Sequence, residues 1–146
     1  MGQQQLLLLV LGIVIVGIAI VVGIQAFSAN AKKANQDAML QDLLRLATDA
    51  QAWAKKPVEF GGGGGKWDGL TIGKLVGKNP TWAADTNANG IYKFEQAPSG
   101  DAATTNVTLV GENANERNRV KVTFNATKIV QTQFEDLQQS QQQQQQ

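Results

Sequence analysis

The chain has 146 residues, 13 basic and 12 acidic side chains, a net charge of +1, and neither cysteine nor histidine. That composition excludes disulfides, thiol chemistry and imidazole as base or metal ligand, and no block of Lys or Arg offers a nucleic-acid footprint. Any catalysis would need paired carboxylates or a Ser–Lys pair in a cleft, so the expectation is a non-enzyme with no nucleic-acid partner and no organic cofactor.

The first element is an apolar helix. Leu6 to Ile24 contains only Leu, Val, Ile, Ala and Gly. As a helix those nineteen residues span roughly 28 Å, close to the hydrocarbon thickness of a bilayer. A strand this apolar would be insoluble, whereas a helix satisfies its own backbone in lipid. Ala29-Asn30-Ala31 offers a signal-cleavage pattern, but no basic residue precedes the run and its length exceeds the usual signal core. N-myristoylation at Gly2 fails because Leu6 stands where Ser or Thr belongs. A single-pass anchor is the plain alternative. Lys32 and Lys33 behind the run would then hold the head in the cytoplasm.

The helix is expected to continue. No Pro or Gly occurs from Ser28 to Lys56, and Met39, Leu43, Leu46, Ala50 and Trp53 recur at spacings of four and three. That is one apolar stripe, with Asp37, Asp42, Arg45 and Asp49 on the wet face. Pro57 pushes Lys56 out of the helical region and ends the pattern. The predicted helix, about Gln3 to Lys55, is on the order of 80 Å long.

Residues 57–89 read as a Gly-rich connecting region. Gly61 to Gly65 followed by Lys66 is not a phosphate loop: Phe60 occupies the first glycine position and Trp67 the hydroxyl position. A flexible or tightly packed surface loop is expected instead. Leu70 to Leu75 predicts a short helical turn, and Trp53, Phe60, Trp67 and Trp82 are expected to cover the bottom of a sheet.

Asp85-Thr86-Asn87-Ala88-Asn89-Gly90 matches the first half of a D-x-N-x-N-G calcium loop, with the Ile91 carbonyl as a further ligand. Gln96 holds the position of the closing Glu, with Glu95 beside it. Asp85, Asn87, Asn89, Ile91 and Glu95 are thus a candidate weak calcium set. The alternative, better supported by half a motif, is a tight Asn89-Gly90 turn in which Asp85 and Asn87 cap their own backbone.

Residues 90–137 read as an antiparallel sheet. Val120, Val122, Phe124 and Ala126 alternate with Arg119, Lys121, Thr123 and Asn125, a half-buried strand. Ile91 to Phe94, Asn106 to Gly111 and Ile129 to Phe134 are three more β-rich runs. Asn106 and Asn125 each open an N-x-T glycosylation pattern, which occurs often by chance. Residues 138–146, Gln apart from Ser140, have nothing apolar to bury. The predicted fold class is therefore α+β: a long N-terminal helix, apolar over 1–27 and amphipathic over 28–56, with a small β-meander packed on its C-terminal half.

A helix that is apolar all round and then amphipathic, followed by a small β head, resembles the type IV pilin and pseudopilin family. The resemblance implies a homopolymer in which 3–27 packs against the same segment of neighbours, through Leu6, Leu9, Ile13, Val16, Ile20 and Ile24. It implies prepilin-type cutting between Gly2 and Gln3, an inner-membrane anchored precursor, a dedicated assembly machinery, and an extracellular filament at the cell surface. A pseudopilin of a secretion system shares the fold. The chain departs from the family at Leu7, where a glutamate is expected, and in lacking the C-terminal disulfide loop.

Overall fold

The computed structural model describes residues 2–115 and 117–137, so the Gln-rich tail at 138–146 lies outside the described residues. The chain forms two compact units that divide between Ala34 and Asn35. Helix α1 runs Gly2–Lys55, within a residue of both predicted ends. It is followed by a 3-10 turn at Val58–Phe60 and a short helix α2, Ile72–Leu75, whose first turn is capped by the Thr71 hydroxyl. The strands are β1 (Ala84–Thr86), β2 (Ile91–Phe94), β3 (Val107–Asn113), β4 (Asn118–Phe124) and β5 (Ile129–Asp136). They form one antiparallel sheet in the order β1-β2-β3-β4-β5, a meander, so the fold is α+β.

In the second unit, the stripe read from the sequence is the helix's buried face. Met39, Leu43, Leu46, Ala47, Ala50 and Ala54 pack with Leu109, Val120, Val122 and Phe124 in one core. β4 alternates between buried and half-buried residues along its whole length, as period 2 demands. β5 does not. It is exposed from Ile129 to Phe134 and gives no residue to the core. β1 lies inside the stretch read as connecting loop. Three residues carry no detectable periodicity, and Ala84 to Thr86 is a strand only because β2 pairs with it.

Gly62, Gly63 and Gly64 are closely packed, while a Cβ at Gly61 or Gly65 would meet open space. The five glycines fold back over the C-terminus of α1, where Gly63 N donates to Trp53 O at 2.9 Å, Gly65 N to Ala54 O at 2.7 Å and Gly64 N to Lys56 O at 2.9 Å. The Trp53 and Ala54 carbonyls, which a helix end otherwise leaves without partners, are thereby satisfied. At Gly63 a Cβ would collide with the Lys66 carbonyl oxygen and lie 2.6 Å from the Trp53 ring. Gly63→Ala is therefore expected to cost about 1–3 kcal/mol, read as a lowered urea midpoint of the full chain in detergent. Gly12→Ala is the control, because a Cβ there meets nothing within 4 Å. Equal midpoints for the two variants would return the loop to the flexible reading.

The aromatic residues divide. Trp67 is fully buried, and Trp53 is half-buried with the Lys74 ammonium 5.6 Å from its ring centre. Phe60 and Trp82, expected to cover the sheet, are instead exposed. Phe60 lies in the 3-10 turn just beyond the helix, and Trp82 has Lys78 over its ring at 5.9 Å.

Candidate functional site

The largest chemically distinct surface belongs to the first unit. Leu6, Leu9, Ile13, Val16, Ile20 and Ile24 are all exposed, Ile13 by 64%, as are the other large side chains of the run. α1 holds an 18-residue window of mean hydropathy 3.3, none of it buried, long and apolar enough to cross a membrane. Leaving this surface in water opposes the hydrophobic effect at every turn, so lipid or protein must cover it. Leu8, Leu9, Gly12, Ile13 and Val16 line a shallow apolar groove where Gly12 leaves space. Gly2 and Gln3, the predicted processing pair, form the first exposed residues of α1.

The second candidate is polar. Asp42, on the wet face predicted for the helix, accepts three hydrogen bonds on Oδ2: from Tyr92 OH at 2.7 Å, Asn87 Nδ2 at 2.8 Å and Asn89 Nδ2 at 3.0 Å. Asn35 Nδ2 and Asn113 Nδ2 both donate to Asn89 O. The bonds to Asp42 and from Asn35 latch the β1–β2 turn to α1, and the bond from Asn113 ties it to β3. Partial burial opposes the Asp42 charge, but the bonds from Asn89, Tyr92 and Asn87, with Arg45 nearby, outweigh it and hold the carboxyl below its usual range. Burial, then the bond to Asp42 and its charge, push the Tyr92 phenol up.

Because the Asp42 pKa is depressed in the folded state, its stabilisation is present above the unfolded carboxylate value and lost as pH falls through the folded one. The head is thus expected to lose stability below about pH 4. Asp42→Asn should cost about 1 kcal/mol at pH 7 and flatten part of that acid decline. Thermal melts between pH 3 and pH 7 measure both, and an unchanged acid slope in the variant would remove the latch from the account.

The predicted calcium ligands each have other partners in the structure. Asp85 Oδ1 pairs with Lys78 Nζ at 2.6 Å. Asn87 Oδ1 accepts from Asn89 N at 2.8 Å and Gly90 N at 3.2 Å, the self-capping turn, while Asn87 N donates to Gly90 O. Asn89 points its amide nitrogen at Asp42, Ile91 is in register with Thr86 and Glu112, and Glu95 pairs with Lys121. Asp85, Asn87, Asp42 and Tyr92 do share a small polar cleft with Arg45. Among the described residues, no group of three or more acidic side chains is placed to hold a metal ion.

The outer face of the sheet carries an ion-pair ladder that the sequence did not disclose. Glu112, Arg119 and Glu135 stand opposite one another on β3, β4 and β5. Arg119 Nη1 lies 3.2 Å from Glu135, and Lys93 Nζ reaches Glu112 at 3.1 Å. Arg119 Nε is 2.8 Å from Glu112, but its N–H is not aligned for a hydrogen bond, so that contact is Coulombic. Lys121 Nζ reaches Glu95 at 2.8 Å and Glu135 at 3.2 Å. The Glu95 bond leads in raising its pKa, partial burial opposes it, and Glu135 adds to it. Each partly exposed pair is worth on the order of 0.2–1 kcal/mol, and the shared partners tie four strands together. Arg119 and Lys121 on a wet face were the signal, but their partners become visible only with the register.

Asn125, the second glycosylation candidate, is buried. Its Oδ1 accepts from Thr127 N, Thr127 Oγ1 and Lys128 N, building the β4–β5 turn. Comparison of this chain with family models, curated proteins and solved structures finds no match.

Proposed function

We propose that this chain is a structural subunit of an extracellular type IV pilus-like filament, polymerising through its N-terminal apolar helix. The observation that carries the reading is the exposure of every large side chain from Leu6 to Ile24, beside a head whose core begins only at Met39. The head needs nothing from that segment, so the segment serves an outside partner. Burying one Leu or Ile is worth roughly 1.5–3 kcal/mol, enough over this run to hold copies together without the family's glutamate at Leu7. The precursor would sit in the inner membrane, and cutting after Gly2 would release it to the assembly machinery.

The rival reading is a single-pass membrane protein with a small β-rich head. Lys32 and Lys33, directly behind the run, favour it by the positive-inside rule. Electron microscopy of material purified from cells separates the two: fibres are expected, and micelles without fibres would sink the filament. Short fibres confined to the envelope would favour the secretion-system variant.

A further inference from the structure

We propose that Asn89-Gly90 is a site of spontaneous deamidation that the Asp42 bonds hold in check, and that its conversion releases the β1–β2 turn from α1 in one direction only. Asparagine is among the chemically labile residues, and Asn89-Gly90 is the only Asn-Gly pair in the chain. Glycine has no side chain to screen its backbone nitrogen, which can therefore reach the Cγ of the asparagine before it. The fold also fixes both residues. A Cβ at Gly90 would lie 2.6 Å from the Glu112 carbonyl oxygen and 3.1 Å from Met39 Sδ, so the packing of the turn requires glycine. Asn89 supplies the Nδ2 that donates to Asp42 at 3.0 Å. The turn is thus built from a pair whose own chemistry can undo it.

In deamidation the Gly90 backbone nitrogen gives up its proton and attacks Asn89 Cγ. The new N–Cγ bond closes a cyclic imide, the Cγ–Nδ2 bond breaks, and Nδ2 leaves as ammonia with that proton. Water then opens the imide at either of its carbonyls, leaving aspartate or isoaspartate at position 89. The folded turn opposes ring closure at each atom it needs. The Gly90 N–H is held by Asn87 Oδ1 at 3.2 Å, and Asn89 Nδ2 by Asp42. The Asn89 carbonyl accepts from Asn35 Nδ2 at 3.1 Å and from Asn113 Nδ2 at 2.7 Å, which fixes the peptide plane that must rotate. Ring closure therefore waits for the turn to open locally.

Conversion reverses the sign of the contact. An amide that donates to Asp42 Oδ2 becomes a carboxylate facing it, and like charges so close repel. Isoaspartate also inserts a methylene into the backbone between residues 89 and 90, beside the Thr86–Ile91 pair that opens the β1–β2 ladder. Neither product returns to asparagine by itself, so the release runs one way. The turn belongs to the head, and its release does not depend on what covers the apolar helix.

The test follows residue 89 of the full chain in detergent, incubated in mildly alkaline buffer. Peptide mass spectrometry reads the gain of about 1 Da as the amide becomes an acid. The folded chain should convert slowly, and the same chain in urea rapidly. Asp42→Ala should convert about tenfold faster than the folded wild type, the factor expected when a bond to a charged acceptor is lost. Asn87→Ala, which frees the Gly90 N–H, should gain about fivefold. Gly63→Ala loosens the head beside Trp53 instead, and should stay within about twofold of the wild-type rate. Asp42→Ala no faster than wild type, Gly63→Ala as fast as Asp42→Ala, or a folded chain that converts as fast as in urea would overturn the proposal. Thermal melts test the release itself. Asn89→Asp should melt below Asn89→Ala, which loses the bond without adding a charge, and equal midpoints would remove the release.

Discussion

Ile13→Asp or Val16→Asp is expected to abolish polymerisation while the head keeps its fold. Both residues lie in the middle of the apolar run, more than half exposed in the single chain, and beside the groove at Gly12. A carboxylate at such a position costs about 3 kcal/mol at the centre of a membrane-spanning helix, and the cost recurs at every subunit of a polymer. No ionisable residue occurs between Leu6 and Ile24 to offset it. The thermal midpoint of the head should not move, because its buried core draws on no residue before Met39. The measurement is fibre yield by electron microscopy beside a circular-dichroism melt. Normal fibres from either variant would remove the apolar helix from the assembly contact, and a lowered midpoint would mean that the head leans on this segment after all.

The apolar run that holds Ile13 and Val16 is legible in the sequence alone. A run of nineteen apolar residues states its own environment, because no partner has to be known before its burial can be argued. The stripe from Met39 to Ala54 and the alternation in β4 are legible for a similar reason, since each element advertises one apolar face. What failed to show was whatever depends on register between distant segments. Asp42 looked like an ordinary wet-face carboxylate, and only the approach of the β1–β2 turn gives it three donors. The half calcium motif and the Asn87 turn cannot be told apart by spacing. The structure shows the turn formed, with Asn87 Oδ1 accepting from Asn89 N and Gly90 N. The composition of β5 marks it as a strand, yet its exposure follows from the meander order, which leaves it outermost with no core residue. Five consecutive glycines carry no sign of whether the chain there is loose or pressed against a helix end. The carbonyls of Trp53, Ala54 and Lys56 decide it.

The residue that best tests whether the long connection belongs to the core is Trp67. It sits between the glycine loop and α2, in a stretch with little secondary structure, yet it is fully buried. Its ring meets Phe124 of β4 edge-on at 5.7 Å and 85°, and its indole Nε1 donates to Thr105 O at 3.0 Å. The backbone is stitched at the same place: Trp67 N donates to Gly100 O, and Ala102 N donates to Gly65 O. Trp67→Ala removes the largest side chain in the core and is expected to cost about 3–5 kcal/mol. Against a typical domain stability of about 5–15 kcal/mol, that leaves the head close to unfolding at room temperature. Trp67→Phe keeps most of the packing and loses the bond to Thr105, so about 1–2 kcal/mol should be lost instead. Trp82→Ala serves as the exposed counterpart and should cost under about 1 kcal/mol. Urea midpoints of the three variants, followed by circular dichroism, rank the effects. If Trp67→Ala melts no earlier than Trp82→Ala, the connection from Pro57 to Ala83 is a surface feature and the core stops at the sheet and helix.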